Sequence, residues 1–292
     1  DIVRRTPDET ITVTVDEKNM ATIESGYSKF SLIGIPAEEF PELPKLTDAT
    51  AIQLPAGVLK SMIRQTVFAV AESDAKPIHQ GSLFHIENGM LDVVSVDGYR
   101  LAKRTEPVDF PQDLSFVVPG KTLTEILKLL KDSDDKVELA AGRRHILFTI
   151  DNYTVISSLL EGEFLNYKAA IPAESKTQVV LRVREAIDSV ERVSLLITDR
   201  LKSPVRCLFG ENEIKLNCTT SMGRASDQIS AEMTGEAVEI GFNNRYLLEA
   251  LRNTECDEVR VQLSGPLSPM KVLPKEGDSF LFLVLPVRLK TE

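Results

Sequence analysis

The sequence predicts an α+β fold in which one type of domain recurs, with two helices on one face of each copy and antiparallel sheets on the other. Residues 116–139 and 237–263 carry this prediction, because both read as a strand, a short break, an amphipathic helix, an acidic turn and a second strand. Residues 1–15 match the last part of that segment. The strands after the acidic turn recur at intervals of 126 and 122 residues, at Ile11, Val137 and Val259. Intervals this long indicate duplicated domains, since solenoid repeats run to roughly 20–50 residues.

The first predicted domain, residues 1–48, is rich in strands. Its strands are expected at 10–15, 20–25 and 29–35. Pro41 and Pro44 then mark a linker. Because the chain opens within the helix of its first repeat segment, we expect the preceding part of this domain to be absent.

The second predicted domain, residues 49–173, begins with a helix over 56–71. Apolar residues recur on one face of this helix, at Leu59, Met62, Ile63, Val67 and Val70. Four strands follow, then a helix over 121–131 and three further strands, KVELAA, HILFTI and TVISSLL. The short links between strands predict antiparallel hairpins.

The third predicted domain, residues 174–292, repeats this order. Its first helix begins at Val183 and has an apolar face that extends to Ile197. A second helix is expected over 243–252, between strands EIGF and EVRVQL. Because the two helices occupy matching places in both complete domains, we expect them to pack side by side.

The composition is that of an ordinary folded protein, with 42% hydrophobic and 27% charged residues. The best apolar run, 280–287, is only as long as a strand, so no membrane helix is expected. A net charge of −10 argues against a protein that coats nucleic acid, but it leaves room for a local basic surface. Three widely spaced cysteines predict reduced core thiols and a cytoplasmic location, at Cys207, Cys218 and Cys256.

Motifs of enzyme and metal chemistry are incomplete. The run PGKT at 119–122 resembles the end of a phosphate-binding loop, but Ser115 stands where that loop needs a glycine. No cysteine or carboxylate lies at ligand spacing from the three histidines, so no metal and no cofactor is expected. Acidic pairs at 134–135 and 257–258 fill the same helix-to-strand turn, which favours solvated turns over acid–base catalysis.

Basic side chains lie opposite the apolar stripes of the predicted helices. On the helix over 121–131, three lysines fall within about 80° of one another by the helical period. A solvated face is the simpler interpretation for any one helix. Recurrence on four helices of an acidic protein favours a shared surface that contacts phosphates without reading sequence. The DNA-facing candidates are Lys60, Arg64, Lys121, Lys128, Lys131, Arg184 and Arg192 on three of these helices, with Lys76 after the first helix. The fourth helix adds outward Arg245 and Arg252.

Two further segments suggest a binding site. The run SVDGYRLAKR at 95–104 places an Asp97–Gly98 turn directly before Tyr99 and Arg100. The run LVLPVRL at 283–289 keeps apolar residues almost to the end of the chain. A hairpin turn and a final core strand would explain them separately. The functional alternative is a hydrophobic groove for a partner peptide, edged by an arginine.

Together these segments resemble the bacterial DNA polymerase III β subunit, the family of sliding clamps. SVDGYRLA is similar to the family's T-D-G-x-R-L-A element, and FSLIGIPAEEFPEL and EGEFLNYKAAIP are similar to the ends of its first two domains. AVEIGFNNRYLLEAL and LPVRL are similar to parts of its third domain. The resemblance spans the chain and implies that roughly the first 75 residues are lacking.

The resemblance implies repeated DNA-clamp domains and a head-to-tail homodimer that closes a ring around duplex DNA. Such a clamp is a non-catalytic, cytoplasmic scaffold of DNA replication that confers processivity on DNA polymerase. Polymerase subunits, the clamp loader and repair proteins would bind through short peptide motifs, in a pocket between the second and third domains. Basic helix faces would line the hole of the ring.

Carried over position by position, the resemblance implies a peptide pocket at Gly98, Tyr99, Arg100, Leu101, Pro172, Asn243, Tyr246, Leu267, Leu283, Leu285, Pro286, Val287 and Arg288. Lys121 matches a basic position near DNA. The chain departs from the family pattern at Val96, where threonine is usual, and at His79, where leucine is common. Residues 290–292 extend past the usual end of the family.

Two other functions compete with the clamp. One is a nucleotide- or phosphate-handling enzyme built on PGKT, which should bind ATP detectably. The other is a sequence-specific DNA-binding repeat protein, which should protect preferred sites on linear DNA.

Overall fold

The computed structural model describes residues 1–44, 46, 49–73, 76–198, 200–201 and 203–289. The predicted first domain boundary at residue 48 and the extension at 290–292 lie outside these residues. The chain forms two compact units, Asp1–Lys45 and Leu46–Glu292.

The first unit is a three-stranded antiparallel sheet in the order β1-β2-β3. Its strands are β1 (Thr12–Val15), β2 (Met20–Ser25) and β3 (Ser28–Ile33). All three predicted strands are confirmed. The expected remnant of a helix is a 3-10 turn at Val3–Arg5, because too few residues precede Pro7 to continue a helix.

The second unit contains two repeats of one arrangement. The first repeat comprises β4 (Thr50–Pro55), α1 (Ala56–Val67), β5 (Gly81–Glu87), β6 (Met90–Val96), β7 (Arg100–Pro107), β8 (Leu114–Pro119), α2 (Gly120–Leu129), β9 (Lys136–Ala141), β10 (His145–Ile150) and β11 (Tyr153–Ser158). A 3-10 turn at Pro77–Gln80 precedes β5. The short helix α3 (Tyr167–Ala170) follows as the link to the second repeat.

The second repeat comprises β12 (Thr177–Arg182), α4 (Val183–Ser194), β13 (Val205–Phe209), β14 (Glu213–Thr220), β15 (Gly223–Ser230), β16 (Glu232–Gly235), β17 (Val238–Phe242), α5 (Asn244–Arg252), β18 (Glu258–Leu263), β19 (Met270–Pro274) and β20 (Phe280–Val284). In each repeat the two longer helices pack against each other, α1 on α2 and α4 on α5. The prediction of paired helices on one face is therefore confirmed.

Strand pairing confirms the duplication. In the first repeat β9 pairs with β4 and β10, and β10 pairs with β11. In the second repeat β18 pairs with β12 and β19, and β19 pairs with β20. The other sheet of each repeat matches as well. In the first repeat β5 pairs with β6 and β8, and in the second repeat β13 pairs with β14 and β17. Likewise β6 joins β7 as β14 joins β15. Every one of these pairs is antiparallel.

A direct strand pairing links the two repeats. Strand β20 of the second repeat pairs with β7 of the first, with Val284 opposite Arg100 and Phe280 opposite Arg104. The result is a nine-stranded sheet in the order β16-β12-β18-β19-β20-β7-β6-β5-β8. The predicted domains 49–173 and 174–292 lie together in this one compact unit because the sheet runs through both.

Helix ends differ from the sequence prediction at three places. Helix α1 ends at Val67 rather than residue 71, because Phe68 turns onto Phe282 of β20, with 5.3 Å between ring centroids. Helix α2 ends at Leu129, because Leu130 becomes extended and lies buried in the core. Lys131 therefore lies after the helix and does not share a helical face with Lys121 and Lys128. Helix α4 ends at Ser194, before the predicted end at Ile197.

The cores are apolar, and the cysteines are free thiols. Cys207 and Cys218 are buried in the second repeat, and Cys256 is partly buried. Burial raises the pKa of the Cys207 thiol to about 12, so it stays protonated. None of the helices in the described part of the chain combines the length and apolar character that a membrane crossing requires.

Candidate partner-binding site and basic helix faces

The turn at 97–100 is fixed by its own side chain. The Asp97 carboxylate accepts the backbone N–H of Tyr99 at 2.9 Å and that of Arg100 at 3.0 Å. Gly98 has a φ of +93°, a conformation that favours glycine, and open space surrounds its Cα. Because the turn is fixed in this way, Tyr99 is exposed and Arg100 is buried.

Arg100 lies at the junction of the two repeats. Its Nε is 2.9 Å from the Asp97 carboxylate, and its terminal nitrogen contacts the Glu249 carboxylate of helix α5. The guanidinium carbon lies 4.8 Å from the centroid of the Tyr246 ring and 5.5 Å from that of Phe68. Two carboxylates and two aromatic faces thus compensate for the desolvation of a guanidinium whose side chain is 5% exposed.

Two adjoining cavities open beside this arginine. The first has a volume of about 570 Å³, and its lining includes Glu72, Lys76, His79, Val96, Tyr99 and Tyr246. The second has a volume of about 530 Å³, and its lining includes Ile197, Pro204, Asn243, Tyr246 and Val287. Arg245 and Tyr246 line both. Each cavity can therefore hold an apolar side chain, with charged groups at the rim of the first.

Helix α5 begins at these cavities because Asn243 caps it. The Asn243 carboxamide oxygen accepts the N–H of Arg245 at 2.9 Å and of Tyr246 at 3.4 Å. The Tyr246 ring stacks on that of Tyr99, with 5.7 Å between centroids. Burial, followed by the Asp97 charge, raises the pKa of the Tyr246 hydroxyl, so the ring stays neutral.

The C-terminal segment passes along the same site. The N–H of Leu285 donates to the carbonyl of Tyr99 at 2.9 Å, and that of Val287 donates to the carbonyl of Gly241 at 2.8 Å. Leu283 lies opposite Leu101 in the β20–β7 pair, and both are buried. The segment thereby holds Leu285 and Val287, both partly exposed, next to the two tyrosines.

Six of the thirteen predicted pocket residues line the two cavities, among them Tyr246, which lines both. Gly98, Tyr99 and Arg100 line the first cavity, and Asn243 and Val287 line the second. Pro172 lies in the linker between the two repeats, where its carbonyl accepts a hydrogen bond from the buried Lys271 ammonium at 2.9 Å. Pro286 and Arg288 flank Val287 without lining either cavity, and Leu267 is 66% exposed on a separate turn.

His79 is buried and lines the first cavity. Its ring stands edge-on to Phe164, with 5.2 Å between centroids. Burial, and then the nearby Lys76 ammonium, lowers the pKa of His79, so the imidazole is neutral at pH 7.

Three residues at the site were not predicted from the sequence. Glu249, Phe68 and Glu72 complete the surroundings of Arg100 and Arg245, although no pocket role was expected of them. Glu249 could have been found from helical spacing, because it lies four residues after Arg245 and three after Tyr246. Phe68 and Glu72 carried no comparable signal, since their proximity depends on where helix α1 ends.

The predicted basic faces are largely ion-paired. Within the described residues, six of the eight candidates contact a carboxylate at 2.6 to 3.1 Å, namely Lys60, Arg64, Lys128, Lys131, Arg184 and Arg192. Lys121 is exposed in the first turn of α2, with no ion pair to any described residue. Lys76 precedes the Pro77–Gln80 turn and lines the first cavity.

The PGKT run is a packing feature. Gly120 is the first residue of α2 and is buried, and a Cβ there would lie 3.1 Å from Val70 and 3.2 Å from the Gln80 carbonyl. The glycine therefore allows close packing at a helix start. Within the described residues, histidine, cysteine and carboxylate side chains do not gather in a group of three that could hold a metal ion.

Three family models cover almost the whole chain in order. The DNA polymerase III beta subunit models match at residues 1–44 for the N-terminal domain, 53–166 for the central domain and 168–288 for the C-terminal domain. The chain belongs to the DNA polymerase III beta subunit family. The N-terminal-domain match at 1–44 does not support the expectation that about 75 residues of this family are lacking.

Relatives of this beta subunit chain agree in sequence and structure. A Bacillus subtilis beta sliding clamp is 33% identical over 293 residues, which cover 99% of this chain and 78% of the relative. A crystal structure of the B. subtilis sliding clamp has a TM-score of 0.92 at 32% identity, covering 99% and 77% of the two chains. A Pseudomonas aeruginosa sliding clamp bound to griselimycin has a TM-score of 0.90 at 27% identity, covering 99% and 79%. This beta subunit is accordingly a non-catalytic sliding clamp that acts as a processivity factor in DNA replication.

Proposed function

We propose that two copies of this sliding clamp encircle duplex DNA and that partner proteins bind by inserting a short peptide at the junction of the two repeats. Polymerase subunits, the clamp loader and repair proteins are the proposed partners. The observation that carries the peptide site is the pair of cavities that share Tyr246, whose ring stacks on that of Tyr99. An extended peptide that crosses this pair can place one apolar side chain in each cavity.

The chemistry of the cavities suggests the peptide. Val96, Tyr99 and Tyr246 offer apolar and aromatic surface to the first cavity. Lys76 places positive charge at its rim, where Arg245 is paired with Glu72. The second cavity adds Ile197, Pro204 and Val287. A peptide with two apolar anchors and a carboxylate between them fits this pattern, because interface anchors are apolar or aromatic and charged groups at the rim set orientation.

The proposed DNA contact is weak and independent of sequence. Exposed ion pairs such as Lys128–Glu125 at 2.7 Å are worth about 0–1 kcal/mol, so a phosphate can replace the carboxylate at little cost. A protein of net charge −10 does not need tight binding if the DNA passes through a closed ring. The helix faces of both repeats would then line the hole.

Homodimer formation is supported by two edge strands. Strand β15 is an edge of its sheet and is equivalent to β7, which pairs with β20 inside the chain. Strand β3 is an edge of the first unit's sheet and occupies the place of β20 in the repeat order. Pairing of β15 in one copy with β3 in another would repeat the β7–β20 junction between molecules. We propose domains of 1–48, 49–173 and 174–292 on the same repeat order, and a cytoplasmic location from the free, buried cysteines.

Comparison of circular with linear DNA tests whether the clamp encircles the duplex as a closed ring. The clamp should be retained on nicked circular DNA after loading by its clamp loader and ATP, and it should leave within seconds to minutes after a restriction enzyme linearises the circle. Retention on linear DNA, or protection of preferred sites, would support a sequence-specific binder instead. Failure of the clamp alone to bind ATP at millimolar concentration is also expected.

The peptide site is tested with fluorescein-labelled Leu-Asp-Leu-Phe, which carries two apolar anchors and a carboxylate. Saturable anisotropy with the wild-type chain, and competition by griselimycin, are expected. Binding that persists unchanged after Tyr246→Ala would contradict the assignment of the site.

A further inference from the structure

The side chain of Arg100 is almost completely used within the protein. It is 5% exposed, and its guanidinium faces Asp97 at 2.9 Å, Glu249 in direct contact, and the rings of Phe68 and Tyr246. A guanidinium has five N–H donors in one plane, and here it lies over two aromatic rings while its nitrogens meet two carboxylates. Arg100 therefore forms part of the cavity wall without projecting a charge into it.

The partners of Arg100 come from both repeats. Asp97 belongs to the turn before β7, and Phe68 follows α1, both in the first repeat. Tyr246 and Glu249 lie one helical turn apart on α5 of the second repeat, so they present one face to Arg100. Arg100 thus fixes helix α5 against the first repeat at the point where the two cavities meet.

Glu249 extends this contact into a chain of alternating charges. Its carboxylate also accepts the Nε of Arg245 at 3.1 Å, and Arg245 in turn contacts Glu72 at 2.8 Å. Glu72 lies beyond the end of α1, in the first repeat. This series of ion pairs crosses the junction between the repeats twice, with Glu249 at its centre. In order, its members are Asp97, Arg100, Glu249, Arg245 and Glu72.

Glu249 does not line either cavity, whereas Tyr246 lines both. The two are connected through Arg100, which contacts the Glu249 carboxylate and the Tyr246 ring together. Removing the Glu249 charge would leave the buried guanidinium with a single carboxylate and free it to move from the Tyr246 ring. The Tyr246 ring, and the Tyr99 ring stacked on it, would lose the support that holds them between the cavities.

We infer that Glu249 is a positioning residue for partner binding: by holding Arg100 against Tyr246, it keeps the Tyr99–Tyr246 pair in the geometry that a peptide recognises, although it touches no peptide itself. The inference rests on the proposed function, since it concerns the same cavities. It also assigns Arg100 the role of a support, where the sequence suggested an arginine at the edge of the groove.

Glu249→Gln keeps the shape of the side chain and removes its charge. We expect it to weaken binding of fluorescein-labelled Leu-Asp-Leu-Phe about tenfold, because the buried Arg100 guanidinium loses one of its two carboxylate partners. Glu191→Gln is the matched control. Glu191 pairs with Arg252 at 2.6 Å between neighbouring helices and lines neither cavity, so its loss should leave the affinity unchanged.

A double-mutant cycle separates positioning from general destabilisation. If Glu249 acts through Arg100, the double variant Arg100→Gln with Glu249→Gln should bind no more weakly than Arg100→Gln alone. Additive losses, or wild-type affinity of Glu249→Gln, would overturn the inference. If a variant melts below the assay temperature, Glu249→Asp replaces it in the assay. Glu249→Asp retains the charge and should restore part of the affinity, and a failure to do so would count against the inference.

Near-ultraviolet circular dichroism gives a readout that does not depend on peptide binding. The chain has no tryptophan and five tyrosines, so the tyrosine band reports the coupling of the Tyr99–Tyr246 pair. We expect Glu249→Gln to reduce this band toward that of Tyr246→Phe, and Glu191→Gln to leave it unchanged. If the wild-type chain does not bind the peptide, the proposed site fails. The band then decides the positioning role by itself, and an unchanged spectrum of Glu249→Gln overturns it.

Discussion

The rings of Tyr99 and Tyr246 lie almost parallel, 17° apart in orientation and with 5.7 Å between their centroids. Tyr99 belongs to the turn before β7, whereas Tyr246 is on helix α5 of the other repeat. Offset-stacked rings contribute about 0.5–1.5 kcal/mol beyond the area they bury, so the pair helps to hold the junction. Tyr99 lines the first cavity, and Tyr246 lines both cavities.

Tyr246→Ala should weaken binding of the Leu-Asp-Leu-Phe probe at least about 30-fold, equivalent to about 2 kcal/mol, since the ring lines both cavities and central tyrosines dominate such interfaces. Fluorescence anisotropy provides the measurement. Tyr153→Ala is the control, because Tyr153 is exposed on β11 and lines neither cavity. Equal affinities of the two variants would contradict a central role for Tyr246.

Phe282→Ala should lower the free energy of unfolding by about 3–5 kcal/mol, the cost of deleting a buried aromatic side chain. Phe282 is 1% exposed and contacts both Phe68 of the first repeat and Phe280 of its own strand. Urea unfolding followed by far-ultraviolet circular dichroism measures the change. Leu267→Ala is the control and should stay within about 0.5 kcal/mol, because Leu267 is 66% exposed. A loss below about 1 kcal/mol for Phe282→Ala would show that this contact does not join the repeats.

Acidification should destabilise the protein through His79. Its pKa is lowered in the folded chain, chiefly by burial, from the unfolded value of 6.5. The unfolded chain therefore binds more protons between the two values, so stability is lost as pH falls below about 6.5 and through the lower folded pKa. His79→Leu should abolish this part of the loss. Melting temperatures of both proteins from pH 7.5 to 5.5 give the test, and parallel curves would exclude His79 as the cause.

Sequence reasoning gave the α+β class, the duplicated arrangement, the paired helices and most strands, because periodicity and turn residues are local signals. It also found the Asp97–Gly98 turn, whose geometry depends on neighbouring residues alone. Three helix ends were wrong. Phe68 and Leu130 leave their helices to fill tertiary packing sites, and tertiary contacts of this kind have no signature in the helical period.

Several residues of the site could be predicted from the sequence, but the contacts they make could not. Arg100 was expected to edge a groove, but burial against Phe68 and pairing with Glu249 depend on strand β20 joining β7. The outward charges of the helices were expected to form a surface that faces phosphates. Their carboxylate partners, such as Asp227 for Arg192, come from strands and turns distant in sequence, which a single helical wheel does not include.

Lys121→Glu should reduce the salt dependence of DNA association. Each phosphate contact contributes about 0.9 to the slope of log K against log salt concentration. Lys121 is exposed at the start of α2, without an ion pair among the described residues, so its charge is available to a phosphate. Lys215→Glu is the control, because Lys215 lies on strand β14 and pairs with Glu213 at 2.8 Å. Equal slopes for the two variants, measured by anisotropy of a labelled duplex, would remove Lys121 from the proposed DNA surface.

The equivalence of the repeats predicts where two copies of the chain contact each other. Leu195 directly follows α4 as Phe68 directly follows α1, and Leu195 is 81% exposed. Phe68 packs on Phe282 of β20. Phe30 holds the place of Phe282 in β3, because Phe30 pairs with Ile23 as Phe282 pairs with Val272 in the equivalent strands.

We therefore expect Leu195 of one copy to pack on Phe30 of another, as Phe68 packs on Phe282 within the chain. Leu195→Asp and Phe30→Asp should each shift the mass in solution from dimer to monomer, because a charge would be buried against an apolar partner. Sedimentation equilibrium over micromolar concentrations measures the shift, and Leu267→Asp is the exposed control. A dimer that survives both substitutions would place the contact between copies elsewhere than the β15 and β3 edges.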